Sequence, residues 1–314
     1  MVHSFPTSLM MKDLRLLVPV CVIGLSACSA ATGTLKTDTV VIQGSDTEVQ
    51  LVSALAEAFG ARNPGASISV AGGGSAVGIA ALINGETDIA NSSRAMKPAE
   101  IATAKEKGRD PQEFILARDG LSVIVHPSNG LATLTLDHIS KMFSGKVTNW
   151  KGVGGPDAPI VLYGRQSTSG TFGYFRDAVV KDDYAVSLRQ MEGSQAIVDA
   201  VAADAHGVGY VGVGYVRGAD GRARSDIKAL TVSRDGASEA VSPLDMEAVR
   251  ADRYPIARRI YQYLPAVPAK DSIVEQFLRF EASAEGQAVI GTSGFYPLTA
   301  NDEAMNQAFF STIR

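Results

Sequence analysis

A nine-residue stretch, GRQSTSGTF, carries one arginine and four hydroxyl side chains. It spans residues 164–172 and lies between an apolar run that predicts a strand and a run that predicts a helix. Side chains of these types at such a junction could bind an anion, supply a nucleophilic serine, or form a polar turn that caps the helix. The stretch by itself does not separate these three interpretations.

Two other strand-to-helix junctions have the same chemistry. They are GSDT at residues 44–47 and GGGS at residues 72–75. Each places glycine and a hydroxyl where a helix begins, and the free N–H groups of a helix start bind oxyanions readily. An arginine nearby would add a full positive charge with paired donors. Three such loops together with Arg165 favour an oxyanion site over simple helix caps.

A fourth segment, TDIANSSRAM at residues 87–96, is another candidate wall of this site. A polar NSSR sequence directly follows a short apolar strand, and it offers hydrogen-bond donors from Ser93 and Arg94. The alternative is a turn with a solvated arginine.

Other chemistries find little support in the sequence. There is no G-x-x-x-x-G-K-[ST] motif, and Ser169 lacks the flanking glycines of a G-x-S-x-G nucleophile elbow. The histidines beyond residue 27 are His126, His138 and His206, and their spacing is not that of a metal site. We therefore predict no catalytic residue, no metal and no cofactor.

The elements around these loops alternate between strand-like and helix-like runs. In residues 48–59, for example, Val49, Val52, Leu55 and Phe59 recur at helical spacing. Residues 271–290 predict one long helix near the end of the chain. This alternation is typical of α/β proteins with parallel sheets, in which such loops gather at one edge.

The N-terminal region predicts export. Lys12 and Arg15 precede a short apolar run and small residues, which is the pattern of a signal peptide over residues 1–27. The sequence LSAC ending at Cys28 resembles a bacterial lipobox, so Cys28 is the predicted lipidation site and residues 28–38 a tether to the membrane. The alternative is an ordinary cleaved signal with an incidental cysteine. The one other cysteine, Cys21, lies within the predicted signal peptide, so no disulfide is expected.

Length and charge narrow the class of protein further. Loss of residues 1–27 removes Lys12, Arg15 and Asp13, which changes the formal net charge from −4 to −5. Such an acidic chain is poorly suited to nucleic acid, although local positive potential can still bind a small anion. The remaining length suits two lobes better than one core.

Several segments together resemble the PstS family of phosphate-binding proteins from bacterial phosphate ABC transporters, within the periplasmic-binding-protein superfamily. The resemblance covers nearly the whole chain after the signal peptide. The matching segments are GSDT (44–47), GGGS with GIAALINGETDIANSSR (72–94), DGLSVIVHPSN (119–129), LTLDHISKMFSGKVTNWKGVGG (134–155), RQSTSGT (165–171), GVGYVG (207–212) and YPIARRIYQYL (254–264).

The resemblance implies an α/β, two-lobe periplasmic-binding-protein fold of type II-like form, with the ligand cleft between the lobes and two hinge crossovers. We expect lobe 1 over residues 39–125 plus 240–314 and lobe 2 over residues 126–239. The implied ligand is inorganic phosphate, and the family motifs carry its binding over to Ser45, Thr47, Ser75, Arg165, Ser169, Gly170 and Thr171. The implied partners are the permease subunits of an ABC transporter in the cell envelope, with a monomeric binding protein and no cofactor.

One position departs from the family pattern. Many phosphate binders have an aspartate where this chain has Ser93, and that carboxylate accepts the proton of hydrogen phosphate. We hypothesise that Asp46 or Asp119 takes this role, because rejection of sulfate needs an unpaired acceptor in the site. The alternatives are the same fold binding sulfate, molybdate or tungstate, an enzyme acting on phosphate esters, and a surface adhesin or signalling protein.

Overall fold

The computed structural model describes residues 38–217 and 222–314. The predicted signal peptide, Cys28 and all but the last residue of the predicted tether lie outside the described residues. None of the helices in the described part of the chain is both long enough and apolar enough to cross a membrane.

The described residues contain twelve strands and ten α-helices. The strands are β1 Asp38–Gly44, β2 Ala66–Ala71, β3 Ile89–Ser92, β4 Gln112–Gly120, β5 Ser122–Val125, β6 Thr133–Thr135, β7 Val161–Arg165, β8 Arg189–Met191, β9 Gly207–Val211, β10 Lys228–Ala229, β11 Thr231–Ser233 and β12 Ala257–Leu264. The helices are α1 Val49–Arg62, α2 Ser75–Asn84, α3 Pro98–Glu106, α4 Leu136–Phe143, α5 Gly170–Phe175, α6 Gly193–Ala202, α7 Met246–Arg250, α8 Ile273–Ala282, α9 Ala284–Thr292 and α10 Ala300–Phe310. Short 3-10 turns lie at Trp150–Val153 and Val213–Tyr215, and a π turn at Arg176–Val180 continues α5.

Two five-stranded sheets organise the molecule. The first has the order β2-β1-β3-β12-β4 and the second β10-β5-β9-β7-β8, while β6 and β11 form a separate pair. In the first sheet β1 runs parallel to β2 and β3, and β12 runs antiparallel to β3 and β4. In the second sheet β7 is parallel to β8 and β9, and β5 is antiparallel to β9. The prediction of parallel sheets was therefore wrong for β12 and β5, which pair antiparallel with their neighbours.

Each sheet has its own apolar core. Beneath the second sheet, Phe143, Phe175 and Tyr210 pack together, with the Phe175 and Tyr210 rings stacked 4.0 Å apart. On the first sheet, Leu55 and Phe59 of α1 pack against Phe277 of α8. The helix predicted from this spacing is confirmed as α1: Val52, Leu55 and Phe59 are buried, and Val49 is half-buried.

The C-terminal helix differs from its prediction. The long helix predicted over residues 271–290 is two helices, α8 and α9, with Ser283 between them in an extended conformation (φ −71°, ψ 162°). The hydroxyl of Ser283 donates to Phe280 O (2.6 Å) and accepts from Gly286 N (3.2 Å). The serine thereby starts a new helix, since its side chain replaces the backbone bonds that would have continued the first.

Candidate functional site

Four buried hydroxyl groups from four different loops meet between the two sheets. They belong to Thr47, which follows β1, Ser75 at the start of α2, Ser93, which follows β3, and Thr171 at the start of α5. The oxygen–oxygen distances are 3.0 Å for Thr47 with Thr171, 3.3 Å for Ser93 with Thr171 and 3.4 Å for Ser75 with Ser93. Each residue is at most 1% exposed. We call these four residues the hydroxyl cluster.

The strand pattern explains why these loops converge. Because β1, β2 and β3 run parallel, their carboxyl ends lie at one edge of the first sheet, and the loops that follow them carry Thr47, Ser75 and Ser93. Gly74, just before α2, packs against the loop between β7 and α5. Ala76 N of α2 donates to Thr168 O of that loop (3.0 Å). The two helix starts of α2 and α5 therefore face the same small volume, each with the free N–H groups typical of a helix start.

Ser169 has the role of a helix cap in this arrangement. Its hydroxyl accepts from Phe172 N at 3.3 Å, and the residue is buried at the N-terminus of α5. An accepting hydroxyl still has its own hydrogen to donate. Capping the helix and donating to a ligand are thus compatible in Ser169.

Gly170 makes the closest approach between the helix starts. A Cβ atom at this position would lie 2.2 Å from Ser75 Oγ and 2.8 Å from Ser93 Oγ. We expect Gly170→Ala to lower the free energy of unfolding by about 1–3 kcal/mol, because the added methyl group overpacks the hydroxyl cluster. Urea denaturation measures this difference.

The matched control is Gly173→Ala in the same short helix, where a Cβ atom would make an ordinary contact of 3.5 Å with Arg94 Cδ. Both substitutions replace glycine by the better helix former alanine in α5. The difference between their free energies of unfolding therefore reports the steric cost at Gly170. Equal stability of the two variants would show that the approach at Gly170 imposes no constraint.

Arg165 is buried at the end of β7 and is paired with Asp46. Its Nη1 donates to Ser194 Oγ (3.2 Å) and its Nη2 donates to Asp46 Oδ2. Asp46 also accepts from Gly73 N (2.9 Å), and its main-chain oxygen accepts from Tyr215 OH (2.8 Å). The Asp46 carboxylate therefore links the loops after β1 and β2 of the first sheet to Arg165 of the second sheet.

Asp119 is also held by an arginine, Arg258, which is not among the predicted site residues. Asp119 Oδ2 accepts from Arg258 Nε (2.8 Å), and Oδ1 accepts from Val213 N (2.7 Å). Arg258 lies opposite Asp119 in the β12–β4 register, and its Nη1 donates to Thr171 Oγ1 (3.1 Å) and to Ser93 O (3.0 Å). Arg258 is thus a direct neighbour of the hydroxyl cluster.

Strand alternation distinguishes Arg258 from its neighbour Arg259. Successive side chains of a strand point to opposite faces, and Arg259 Nε accordingly donates to Asp302 Oδ1 (2.8 Å), away from the hydroxyl cluster. The sequence YPIARRI contains both arginines and does not reveal which one faces the site. The register of β12 supplies that information.

Two predicted site residues do not contact the hydroxyl cluster. Arg94 donates through Nη1 and Nη2 to Glu100 of α3 at 2.8 and 2.6 Å, an ion pair that holds it on the first sheet. The hydroxyl of Ser45 faces the carboxyl group of Glu48. Of the other predicted residues, Thr47, Ser75, Ser93 and Thr171 form the hydroxyl cluster and Gly170 packs against it. Asp119 is linked to the cluster through Arg258, Asp46 and Arg165 pair with each other, and Ser169 caps α5.

Glu48 is a buried acid beside this centre that the sequence analysis missed. Burial raises the pKa of its carboxyl group well above the ordinary value, against the lowering effects of the Ser45 hydroxyl and the Arg258 charge. Burial likewise raises the pKa of Glu281, which accepts from Gln262 Nε2 (3.1 Å). In both residues burial disfavours the charged carboxylate.

The chemistry of the centre is that of an anion receptor. It offers hydroxyl donors, helix-start N–H groups and two guanidinium groups, and each guanidinium is balanced by a carboxylate. Among the described residues no group of three or more His, Cys, Asp or Glu could hold a metal ion. Such a donor set suits a tetrahedral oxyanion, whose oxygens accept on every side.

An α/β fold built on two sheets, with anion donors converging from both, defines the class of two-lobe solute-binding proteins. A family model described as a PBP superfamily domain matches residues 29–285. The chain is 30% identical over 273 residues to the phosphate-binding protein PstS of Pseudomonas aeruginosa, which covers 82% of each chain. It is also 30% identical over 297 residues to protein SphX of Synechococcus elongatus, which covers 92% of this chain and 86% of SphX.

A solved structure gives the same result. A Clostridium perfringens protein with bound phosphate, provisionally assigned as a phosphate ABC transporter substrate-binding protein, superposes with a TM-score of 0.72 at 29% identity. The match covers 83% of this chain and all of the other. The chain belongs to the PBP superfamily and, within it, to the PstS family.

Proposed function

We propose that this protein binds inorganic phosphate with high affinity and delivers it to the permease of an ABC transporter. The observation that carries the proposal is the hydroxyl cluster, in which four loops bring buried hydroxyls together. Arg165 supplies charge, the hydroxyls of Thr47, Ser75, Ser93, Ser169 and Thr171 donate hydrogen bonds, and the N–H groups of the α2 and α5 starts complete the shell.

We propose that a carboxylate in the site selects phosphate over sulfate. Asp46 and Asp119 are both close enough to the centre to be bound by its arginines, and each carboxylate oxygen has a second lone pair. A carboxylate can accept the P–OH proton of hydrogen phosphate, whereas sulfate brings no proton and meets an unpaired acceptor. Asp46 or Asp119 would thus replace the aspartate that many phosphate binders have at the position of Ser93.

We propose that the chain passes between the two lobes twice. The chain leaves the first sheet at Gly120, the end of β4, and enters the second at Ser122, the start of β5; it returns to the first sheet at Ala257, where β12 begins. Core packing agrees, since Leu121 and Ile256 belong to the apolar cluster of the second sheet. These assignments favour crossings near residues 121 and 256 over the predicted boundaries at 125 and 240.

Export and anchoring complete the proposal. A signal peptide over residues 1–27, lipidation of Cys28 and a tether over residues 28–38 would hold a monomer at the membrane that contains its transporter. Supporting this, the family match begins at residue 29, directly after the proposed lipidated cysteine. We propose no chemical reaction at the site, since its donors are arranged to hold an anion.

A thermal-shift panel of anions tests the proposal. Phosphate at about 100 times its dissociation constant should stabilise the folded protein by about 2.7 kcal/mol, whereas sulfate, molybdate and tungstate should not raise the melting temperature. A shift with sulfate as large as that with phosphate would refute the selectivity role of the carboxylates. A panel without any phosphate shift would refute phosphate binding itself.

A further inference from the structure

Arg258 occupies a position that a mere structural brace would not need. Its side chain is 2% exposed, and two of its nitrogens lie on Asp119, with Nε at 2.8 Å and Nη2 at 2.7 Å from Oδ2. The third nitrogen, Nη1, points away from Asp119 to Thr171 Oγ1 and Ser93 O. One edge of the guanidinium is therefore fixed by a carboxylate, and the other edge lies in the hydroxyl cluster.

Fixing one edge of an arginine prepares the other for a ligand. The Asp119 carboxylate orients the planar group and offsets the cost of burying its charge, while Nη2, which makes no hydrogen bond among the described residues, keeps donor capacity of its own. An anion oxygen that accepts from the hydroxyls of Ser93 and Thr171 would lie beside this guanidinium. Arg165 is likewise paired with a carboxylate, since its Nη2 donates to Asp46 Oδ2 while its Nη1 donates to Ser194 Oγ.

We propose that Arg258 is a second phosphate-binding arginine of this site, an inference that rests on the proposed function. Arg258 extends from β12 of the first sheet, and Arg165 from β7 of the second. A phosphate dianion would thus meet one guanidinium from each sheet. Two cations on opposite sides favour a doubly charged ligand and let that ligand bridge the two halves of the molecule.

The test must separate ligand binding from bracing of Asp119. Truncating Arg258 alone would leave a buried carboxylate unpaired and destabilise the fold for that reason. The comparison is therefore made in a background in which the carboxylate is already neutral: Asp119→Asn alone against Asp119→Asn with Arg258→Met. Calorimetric titration with inorganic phosphate gives the affinities, and circular dichroism and urea unfolding verify the fold of each protein.

We expect the double variant to bind phosphate at least about tenfold more weakly than Asp119→Asn, because it loses a charged hydrogen-bond donor to the ligand. Equal affinity of the two would overturn the proposal and leave Arg258 as a brace. If the methionine variant does not fold, Asp119→Asn with Arg258→Gln replaces it, since the two new amides can hydrogen-bond each other, and the same tenfold loss is expected.

Two further proteins make the outcome unambiguous. Arg259→Gln changes the adjacent arginine, which faces Asp302, and should leave phosphate affinity unchanged. The unmodified protein separates the two proposals: failure to bind phosphate at all refutes the proposed function, whereas tight binding together with an unaffected double variant refutes the role of Arg258 alone.

Discussion

Arg165→Ala is expected to weaken phosphate binding by about 1.5–3 kcal/mol, or roughly 10–150-fold. The guanidinium of Arg165 is buried, and charges interact more strongly in such surroundings than in water, so its removal takes away a full positive charge where that charge counts most. Asp46 would then retain Gly73 N as a donor but lose its counterion, which adds repulsion toward the anion. Calorimetric titration with phosphate measures the change.

A surface arginine provides the control for this result. Arg176 is 39% exposed and is paired with Asp177 in the π turn that follows α5. Arg176→Ala lowers the net charge equally and should leave phosphate affinity within about twofold, since salt screens exposed charges that do not contact the ligand. An unchanged affinity in Arg165→Ala would remove Arg165 from the site.

Asp302→Ala is expected to lower the free energy of unfolding by about 3–5 kcal/mol. This fully buried carboxylate accepts from Arg118 Nε (2.7 Å), from Arg259 Nε (2.8 Å) and from Thr299 Oγ1 (2.7 Å). Its loss would leave two cations on the first sheet without their shared partner and would remove the capping box that begins α10. Urea denaturation at neutral pH measures the effect.

The control substitution removes a different partner of the same arginine. Asp252 pairs with Arg118 Nη1 at 2.7 Å but is 66% exposed, so Asp252→Asn, which suits the positive φ of 55° at this position, should cost less than about 1 kcal/mol. If both substitutions have similar effects, burial does not decide the value of these ion pairs.

Asp302 also makes stability depend on pH in a defined window. Burial tends to raise the pKa of this carboxyl group, but the hydrogen bonds from Arg118 and Thr299 outweigh burial and lower the pKa from 3.8 to about 2. A lowered pKa stabilises the folded protein fully above the unfolded value, and this contribution is lost as the pH falls through about 2. Asp302→Asn should therefore lack the part of the acid destabilisation that the unmodified protein shows between about pH 4 and pH 2.

The loops of the site could be predicted from the sequence because their chemistry is local. Glycine and a hydroxyl after a strand mark a helix start, and three such loops carry Thr47, Ser75 and Thr171, which the structure brings within hydrogen-bond distance of one another or of Ser93. The helical spacing that predicted α1 is likewise a property of neighbouring residues.

The remaining features depend on contacts between distant parts of the chain. Arg258 faces the site and Arg94 does not, and this difference follows from the register of β12 and from the position of Glu100 in α3. Glu48 follows Thr47 directly, yet only the packed structure reveals that its carboxyl group is buried. The antiparallel entry of β12 between β3 and β4 joins residues more than 130 positions apart, which no local pattern encodes.

Calorimetric titration of the purified protein with inorganic phosphate tests the central claim most directly. We predict saturable binding of one phosphate per chain, and sulfate in excess should not displace it, because the site combines hydrogen-bond donors with a carboxylate acceptor. Absence of saturable phosphate binding in a protein that is folded by circular dichroism would contradict it.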